Sequence, residues 1–339
     1  MTAHNSAARS ISEPSDVNDI LQTPLSTAYL WNYDQQEDRI KRLYTQAKEQ
    51  MWNVDADINW DDAPFDHAEA LLDPEITGFA NYEGYLALSE NGKRDFLRHY
   101  VAWQLSQFLH GEQGALLVAS QLVSCAPTMN AKLYASAQTF DEARHVEAFS
   151  KYINTKIGLM YPVNASLKRL LDKILTDERW DLKFIGMQII IEAIALASFA
   201  NMREGVRDPL LKDILRNILR DESRHISFGV NFLADFVRNL PDHERRERAE
   251  FAYESCVVIR ERLIPFPIFE HFGWDRGDAH AFVQSGEIVK RFQELLFRKI
   301  MPNLARVGLL MPETEERFER LGVLGYVEED PDFEHYYAW

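Results

Sequence analysis

Carboxylate and imidazole side chains recur in this sequence at a spacing that suits metal binding. The segments Asp141-Glu142-Ala143-Arg144-His145 and Asp221-Glu222-Ser223-Arg224-His225 carry the same pattern, with two acids, any residue, a basic residue and His. Residues three apart share one face of a helix, so the Glu and the His of each segment point the same way. Composition alone predicts only about 0.03 copies of such a pattern in the whole chain, so two copies are a strong signal.

A further glutamate precedes each segment at a fixed distance. Glu112 lies 30 residues before Glu142, and Glu192 lies 30 residues before Glu222. Glu192 interrupts a nearly continuous run of Ile, Ala and Leu, where a buried carboxylate is costly if it binds no partner or metal. The chain therefore repeats one plan, a helix with Glu followed by a helix with Glu-x-x-His. The six predicted metal ligands are Glu112, Glu142, His145, Glu192, Glu222 and His225.

Four carboxylates and two imidazoles make a donor set for a pair of metal ions. Two glutamate helices and two Glu-x-x-His helices supply the ligands of carboxylate-bridged dinuclear sites in four-helix bundles. Oxygen-rich donors favour iron or manganese over copper, whereas structural zinc sites are tetrahedral and rich in Cys or His. The residues predict two iron ions, with a Mn/Fe pair or a manganese pair as alternatives.

Apolar residues at three- and four-residue spacing predict the helices that position these ligands. The chain has few Pro and Gly, and it shows neither strand alternation nor a glycine-rich phosphate loop, so we expect an all-α fold: a four-helix bundle with additional flanking helices. The ligand-bearing helices are predicted near 93–123, 129–156, 181–204 and 209–239. Others are predicted at 38–51, from an N-cap at Asn164 to about 177, and near 243–263 and 278–300.

The domain organisation follows from these elements. Residues 1–24 are rich in Ser, Asn, Asp and Pro, which predicts a disordered tail. Residues 25–339 are predicted to form a single domain, with the ligand-bearing core at about 93–239 and extra helices at about 243–300. The C-terminal stretch 328–339 is acidic and aromatic.

Composition excludes several other classes of function. A net charge of −16 and a pI near 5.1 disfavour binding to nucleic acids and to anionic membranes. Cys125 and Cys256 are too few for a disulfide scaffold, which indicates a reducing compartment. No apolar run approaches the roughly 20 residues of a membrane span, and the N-terminus lacks a hydrophobic signal core. We therefore expect a cytoplasmic protein.

At the six ligands the sequence resembles the ferritin-like dinuclear iron carboxylate enzymes. This superfamily includes monooxygenase hydroxylases, acyl-carrier-protein desaturases, arylamine N-oxygenases and the radical-generating subunit of ribonucleotide reductase. The resemblance covers roughly residues 40–240, and within it the segment around Trp52 resembles the approach to the bundle in the reductase subunit. It implies a ferritin-like bundle in which Glu142 and Glu222 bridge or flank the metals. It further implies that Glu112 and Glu192 are outer ligands, and that Asp141 and Asp221 hydrogen-bond the ligand histidines.

Three features depart from subgroups of that superfamily. Phe149 stands where the reductase subunit usually has its radical-forming Tyr, although Tyr152 lies one turn further along. Ala195 and Leu196 stand where many hydroxylases and desaturases have a Thr. Ile218 stands one turn before Glu222, where arylamine N-oxygenases often have an extra His, and this argues against that subgroup.

The resemblance leads to one main hypothesis and two alternatives. The main one is an O₂-dependent oxidoreductase that hydroxylates, N-oxygenates or desaturates a small organic substrate. Phe108, Phe149, Phe199 and Phe228 are candidate pocket residues, although such residues are more often plain core. The sequence has no flavin or nicotinamide motif, so we expect an external electron donor, either a reductase or a ferredoxin. We also expect a homodimer. The alternatives are a radical-generating subunit and a metal-storage or peroxide-scavenging protein.

Overall fold

A bundle of long helices forms the centre of the protein in the computed structural model. The described residues are 9–10, 20–24, 26–34, 37–61, 71–261 and 264–328. Most of the predicted tail at 1–24 and the acidic stretch after residue 328 lie outside them. Within the tail, β1 (Arg9–Ser10) pairs antiparallel with β2 (Leu159–Met160).

The helices of the first two-thirds of the chain confirm the all-α prediction. Two short ones precede the bundle, and one packs beside it. In chain order the helices are α1 (Asp38–Glu49), α2 (Glu83–Leu86), α3 (Glu90–Cys125), α4 (Met129–Tyr152), α5 (Ala165–Thr176), α6 (Trp180–Phe184), α7 (Glu192–Gly205) and α8 (Pro209–Arg238). Helices α3, α4, α7 and α8 are the four that carry the predicted ligands.

Polar side chains begin these helices where the sequence places capping residues. Ser89 accepts a hydrogen bond from the Gly92 amide at the start of α3, and Thr128 caps α4 in the same way. Asn164 accepts from two amides at the start of α5, as predicted. Asp208 caps α8, whose first residue is a proline. Each cap satisfies amides that have no partner within the helix, which fixes where the helix begins.

Two segments of the bundle are π-helical, which the sequence did not reveal. Ile153–Ile157 extends α4, and Ile185–Ile191 joins α6 to α7 directly before Glu192. The apolar periodicity of both segments suits a continuous helix. A π turn contains one residue more than an α turn, and the two cannot be distinguished from such a short apolar pattern.

The joined segment Trp180–Gly205 is the most apolar part of the bundle. Within its 26 residues, an 18-residue window has a mean hydropathy of 1.7, which is long and apolar enough to cross a membrane, so the expectation that no such run exists was wrong. Of that window, 94% is buried inside the protein, as expected of a central helix. A Cβ atom at Gly229 of α8 would lie only 2.3 Å from the Gln188 Cβ, so the close approach of α8 to this segment depends on glycine.

The remaining helices pack on the outside of the bundle. They are α9 (Asp242–Glu261), α10 (Phe266–His271), α11 (Arg276–Ser285), α12 (Glu287–Val307) and α13 (Pro312–Arg320). The single helix expected near 278–300 is thus two helices. The chain leaves the helical conformation at Gly286, whose φ of −74° and ψ of 137° are extended.

Candidate metal centre

The structure brings the six predicted ligands together in the interior of the bundle. Glu112 comes from α3, the pair Glu142 and His145 from α4, Glu192 from α7, and the pair Glu222 and His225 from α8. All six are at least 96% buried. The i, i+3 spacing places both members of each Glu-x-x-His pair on the inward face of its helix.

One half of the cluster is centred on His145. Its Nδ1 atom lies 3.0 Å from Glu112 Oε2 and 3.1 Å from Glu222 Oε1. The distance to Glu142 Oε2 is 3.4 Å. The ligand atoms of these four residues all lie within 4.8 Å of one another, close enough to share one metal ion.

The other half is centred on His225. Its Nδ1 atom lies 3.2 Å from Glu142 Oε1 and 3.5 Å from Glu222 Oε2. Glu192 Oε2 is 3.8 Å away. Glu142 and Glu222 thus face both imidazoles, whose ring centroids are 6.0 Å apart. Glu112 and Glu192 each approach one imidazole only.

The outward nitrogen of each imidazole meets an aspartate from the opposite motif. His145 Nε2 lies 3.2 Å from Asp221 Oδ2, and His225 Nε2 lies 3.3 Å from Asp141 Oδ2. When Nε2–H donates to the aspartate, Nδ1 keeps its lone pair towards the carboxylates. The two aspartates therefore orient the imidazoles so that each Nδ1 faces the carboxylates, and the contacts cross between α4 and α8.

Two buried arginines neutralise these aspartates. Arg144 contacts Asp141 and also lies 3.2 Å from Asp221 Oδ2. Arg224 lies 2.5 Å from Asp221 Oδ1 and 3.3 Å from Asp141 Oδ2. The sequence left open whether these arginines face solvent or pair with carboxylates. The structure shows that they pair, in an almost symmetric four-residue network.

Three polar partners of the cluster were not identified from the sequence. Trp52 donates its indole N–H to Asp221 Oδ2 at 2.7 Å. Gln138 donates to Glu192 Oε1 at 2.9 Å and to Glu142 Oε1 at 3.1 Å, and Gln188 donates to Gln138 Oε1 at 2.8 Å. The sequence contained one signal for Gln138: its amide lies one helical turn before the ligand Glu142, in an otherwise apolar stripe.

Burial shifts the pKa values of the clustered acids. It raises the pKa of Glu142 to about 8 and that of Glu222 to about 7, and neighbouring carboxylates add to the effect. The pKa values of Glu112 and Glu192 are also raised, and burial is the largest cause in both cases. Asp221 differs, because hydrogen bonding to His145 and the nearby arginines outweigh burial and lower its pKa.

The donor set fits a pair of metal ions. Glu142 Oε2, both carboxylate oxygens of Glu222 and His225 Nδ1 are buried without a hydrogen-bond partner. Buried polar atoms in native proteins are almost always satisfied, since leaving one unpaired costs about 1–3 kcal/mol. These four atoms all point into the cluster, where bound cations would satisfy them.

A small cavity adjoins the cluster, and a larger one lies beyond it. A cavity of about 20 Å³ is lined by Glu112 and Glu192 together with Gly111, Phe108 and Ser198, among others. A cavity of about 690 Å³ lies between α3, α7 and α12. Phe108 and Ser198 line both cavities, so these two side chains stand between the larger space and the carboxylates. A volume of several hundred Å³ is typical of a site for an organic ligand.

The helical bundle with this buried cluster defines an oxidoreductase of the ferritin-like dinuclear-metal class. The chain belongs to the family described as P-aminobenzoate N-oxygenase AurF, whose model matches residues 33–308. Its buried carboxylates and imidazoles accordingly form a site for a dinuclear metal centre. No curated protein matches the chain.

Solved structures with the same fold include R2-like ligand-binding oxidases. One, described as having an aerobically reconstituted Mn/Fe cofactor after a long soak, has a TM-score of 0.51 at 16% identity, covering 80% of this chain and 92% of that one. Another, with an aerobically reconstituted metal cofactor after photoconversion, has a TM-score of 0.51 at 17% identity, covering 80% and 93%. At such low identity the similarity establishes the fold alone.

The family match corrects one inference from the sequence. Ile218 at the position of an extra histidine argued against the arylamine N-oxygenases, yet the chain belongs to the AurF family. Ile218 is a fully buried residue of α8. A single apolar residue there leaves the six-ligand plan unchanged, so it cannot by itself exclude the family.

Proposed function

We propose that this protein is an O₂-dependent oxygenase that N-oxygenates an aromatic amine at a dinuclear centre held by Glu112, Glu142, His145, Glu192, Glu222 and His225. The observation that carries the proposal is the convergence of these six side chains, with four unsatisfied buried atoms, beside a cavity large enough for an organic molecule. The AurF family membership supports N-oxygenation over hydroxylation or desaturation.

In this proposal Glu142 and Glu222 would each help to hold both metal ions. Each of them faces both imidazoles, whereas Glu112 is close to His145 and Glu192 to His225. The chemistry supplied by the bound metal pair is the reductive activation of O₂ for transfer of oxygen to the substrate.

The residues around the ligands fix their positions. Asp141 and Asp221 accept the Nε2–H protons and so keep each Nδ1 directed inward. Gln138 holds one oxygen of Glu142 and one of Glu192 by donating to both. This leaves the other oxygen of each carboxylate free to bind a cation.

Aromatic side chains keep water away from the centre. Phe108 packs on Phe199 with ring centroids 4.7 Å apart and on Phe149 at 5.8 Å. All three are at least 93% buried. The 20 Å³ space behind Phe108 has room for about one small molecule the size of water. We propose that O₂ uses this space and that the amine reaches it from the larger cavity past Phe108 and Ser198.

The two alternatives have less support. Phe149 has no hydroxyl group and cannot form a tyrosyl radical at the position that the radical-generating subunits use. Tyr152, one turn further along, donates to Asp208 at 2.5 Å on the buried side of α4. A storage protein has no need for a 690 Å³ cavity beside its metal site. The external electron donor, the homodimer and the cytoplasmic location stay predictions.

Anaerobic loading with Fe²⁺ followed by exposure to O₂ tests the proposal. We expect about two iron ions per chain, consumption of O₂, and conversion of an aromatic amine such as p-aminobenzoate or p-toluidine to N-oxygenated products. Mass spectrometry with ¹⁸O₂ distinguishes oxygen on nitrogen from oxygen on the ring. Ring hydroxylation, or O₂ consumption without any product from a panel of amines, would show that N-oxygenation is wrong.

A further inference from the structure

A second group of metal-binding side chains lies on the outer part of α3, away from the buried cluster. It consists of Asp95 and His99 on α3 and His271 at the end of α10, and the ligand atoms of all three lie within 4.8 Å of one another. His99 and Glu112 are 13 residues apart on one helix, which separates the two groups by about 20 Å along its axis. None of the three residues takes part in the dinuclear centre.

His99 is held in the orientation that a ligand needs. It is 94% buried, and its Nδ1 atom lies 2.7 Å from the hydroxyl oxygen of Tyr161, itself 99% buried. When Nδ1–H donates to that hydroxyl, Nε2 keeps its lone pair. Burial and the neighbouring His271 lower the pKa of His99 to about 4, so the ring is neutral at physiological pH. Such an oriented imidazole, with its second nitrogen bonded, is typical of metal-ligating histidines.

The free nitrogen of His99 faces the other two donors. Its Nε2 atom lies 3.8 Å from Asp95 Oδ1, one helical turn earlier, which is too long for a hydrogen bond. The imidazole of His271 stacks on that of His99 with centroids 4.0 Å apart and an interplanar angle of 28°. Arg98, which precedes His99 in the sequence, donates to the Ile157 carbonyl oxygen. The side chains of Asp95 and His271 form no hydrogen bond with another described residue.

We propose that Asp95, His99 and His271 bind one Zn²⁺ or a similar borderline divalent cation. Two imidazoles and one carboxylate with an open fourth position are a zinc donor set. Bond lengths of about 2.0–2.1 Å place the donor atoms of a tetrahedral ion about 3.4 Å apart, so the donors need to converge by less than about 1.5 Å. His271 is exposed at the end of a helix, and its ring can turn to direct a nitrogen at the ion.

The ion would tie α10 to α3. These helices are far apart in sequence, and α10 belongs to the group packed outside the bundle. A cation that binds only the folded protein stabilises it by mass action. In this proposal the ion stabilises the packing of α10 on α3, and it does not depend on the reaction at the dinuclear centre.

The test is a zinc titration of the iron-loaded enzyme. We expect about one additional zinc per chain by elemental analysis, with iron content unchanged, and a higher unfolding midpoint. The variants His271→Asn and Asp95→Asn should lose the saturable zinc and the rise in midpoint. Replacing His243, an exposed histidine on α9, by Asn should change neither.

Three outcomes would overturn the proposal. They are zinc uptake matched by loss of iron, the absence of saturable uptake, and uptake that His271→Asn leaves intact. Because His271 and Asp95 are surface residues, their variants are expected to fold, and the circular dichroism of each without zinc serves as the check.

Discussion

His145 Nε2 lies 3.2 Å from Oδ2 of Asp221, a residue of the other Glu-x-x-His motif. The same carboxylate oxygen accepts from the Trp52 indole at 2.7 Å and lies 3.2 Å from the Arg144 guanidinium. One oxygen thus joins the segment before the bundle, α4 and α8. Loss of the Asp221 carboxylate is expected to affect both metal binding and folding.

Replacing Asp221 by Asn tests this role. The variant keeps the shape but removes the charge that compensates Arg144 and Arg224, and breaking a buried ion pair costs about 3–5 kcal/mol of stability. Metal affinity should fall by about 10–100-fold, as for other residues that orient metal ligands. Chemical denaturation and metal titration measure the two effects. Asp235→Asn, at an exposed position on the same helix, should stay within about 0.5 kcal/mol of the parent protein.

Replacing Gln138 by Leu removes the donor that two carboxylates share. Glu142 Oε1 and Glu192 Oε1 lose their amide partner, and Gln188 loses its acceptor. We expect a loss of about 1–3 kcal/mol in stability and a changed spectroscopic signature of the iron-loaded centre. Ser136→Ala, on the exposed side of α4, is the matched control. A variant with unchanged spectra would argue against a positioning role for Gln138.

Gly111 and Gly114, one turn apart on α3, should respond to alanine in opposite ways. A Cβ atom at Gly111 would have no neighbour within 4 Å, whereas one at Gly114 would lie 2.5 Å from a Leu171 methyl group. Gly111→Ala should gain about 0.5–1 kcal/mol from helix propensity, and Gly114→Ala should lose about 1–3 kcal/mol through overpacking. Because Gly111 lines the small cavity, its variant should consume O₂ more slowly despite its higher stability.

The stability of the metal-free protein should fall as pH rises. The folded pKa values of Glu142, about 8, and Glu222, about 7, lie above the ordinary value of 4.5. Between pH 4.5 and 8 the folded state therefore holds protons that the unfolded chain has released, so this contribution is present at the acidic end and is lost towards pH 8. Thermal unfolding from pH 5.5 to 8 measures the slope.

A double variant and added metal provide the controls for that slope. Glu142→Gln with Glu222→Gln mimics the protonated acids, so its metal-free stability should depend less on pH. Added Fe²⁺ should raise the unfolding midpoint of the parent protein most at pH 8, where metal binding displaces the fewest protons. A parent protein that gains stability towards pH 8 would contradict the expectation.

The helices and the ligands could be predicted from the sequence because their signals are local. Caps such as Asn164 and the apolar periodicity define helix positions, and the i, i+3 spacing brings His145 to the same face as Glu142. Contacts between helices carry no such signal. The crossing of His145 to Asp221, the indole of Trp52 and the shared donor Gln138 all depend on packing between distant segments, so only the structure reveals them.

The π-helical segment Ile185–Ile191 has a consequence for the direction of Glu192. Successive residues of an α-helix are rotated by about 100° about the helix axis, so the number of preceding residues sets the direction in which a side chain points. The π-helical segment adds one residue relative to an uninterrupted α-helix. The carboxylate of Glu192 faces His225 because the π-helical segment supplies one additional residue before Glu192. The geometry of the metal centre therefore depends on the number of residues in α6 and this segment as well as on the chemistry of the ligands.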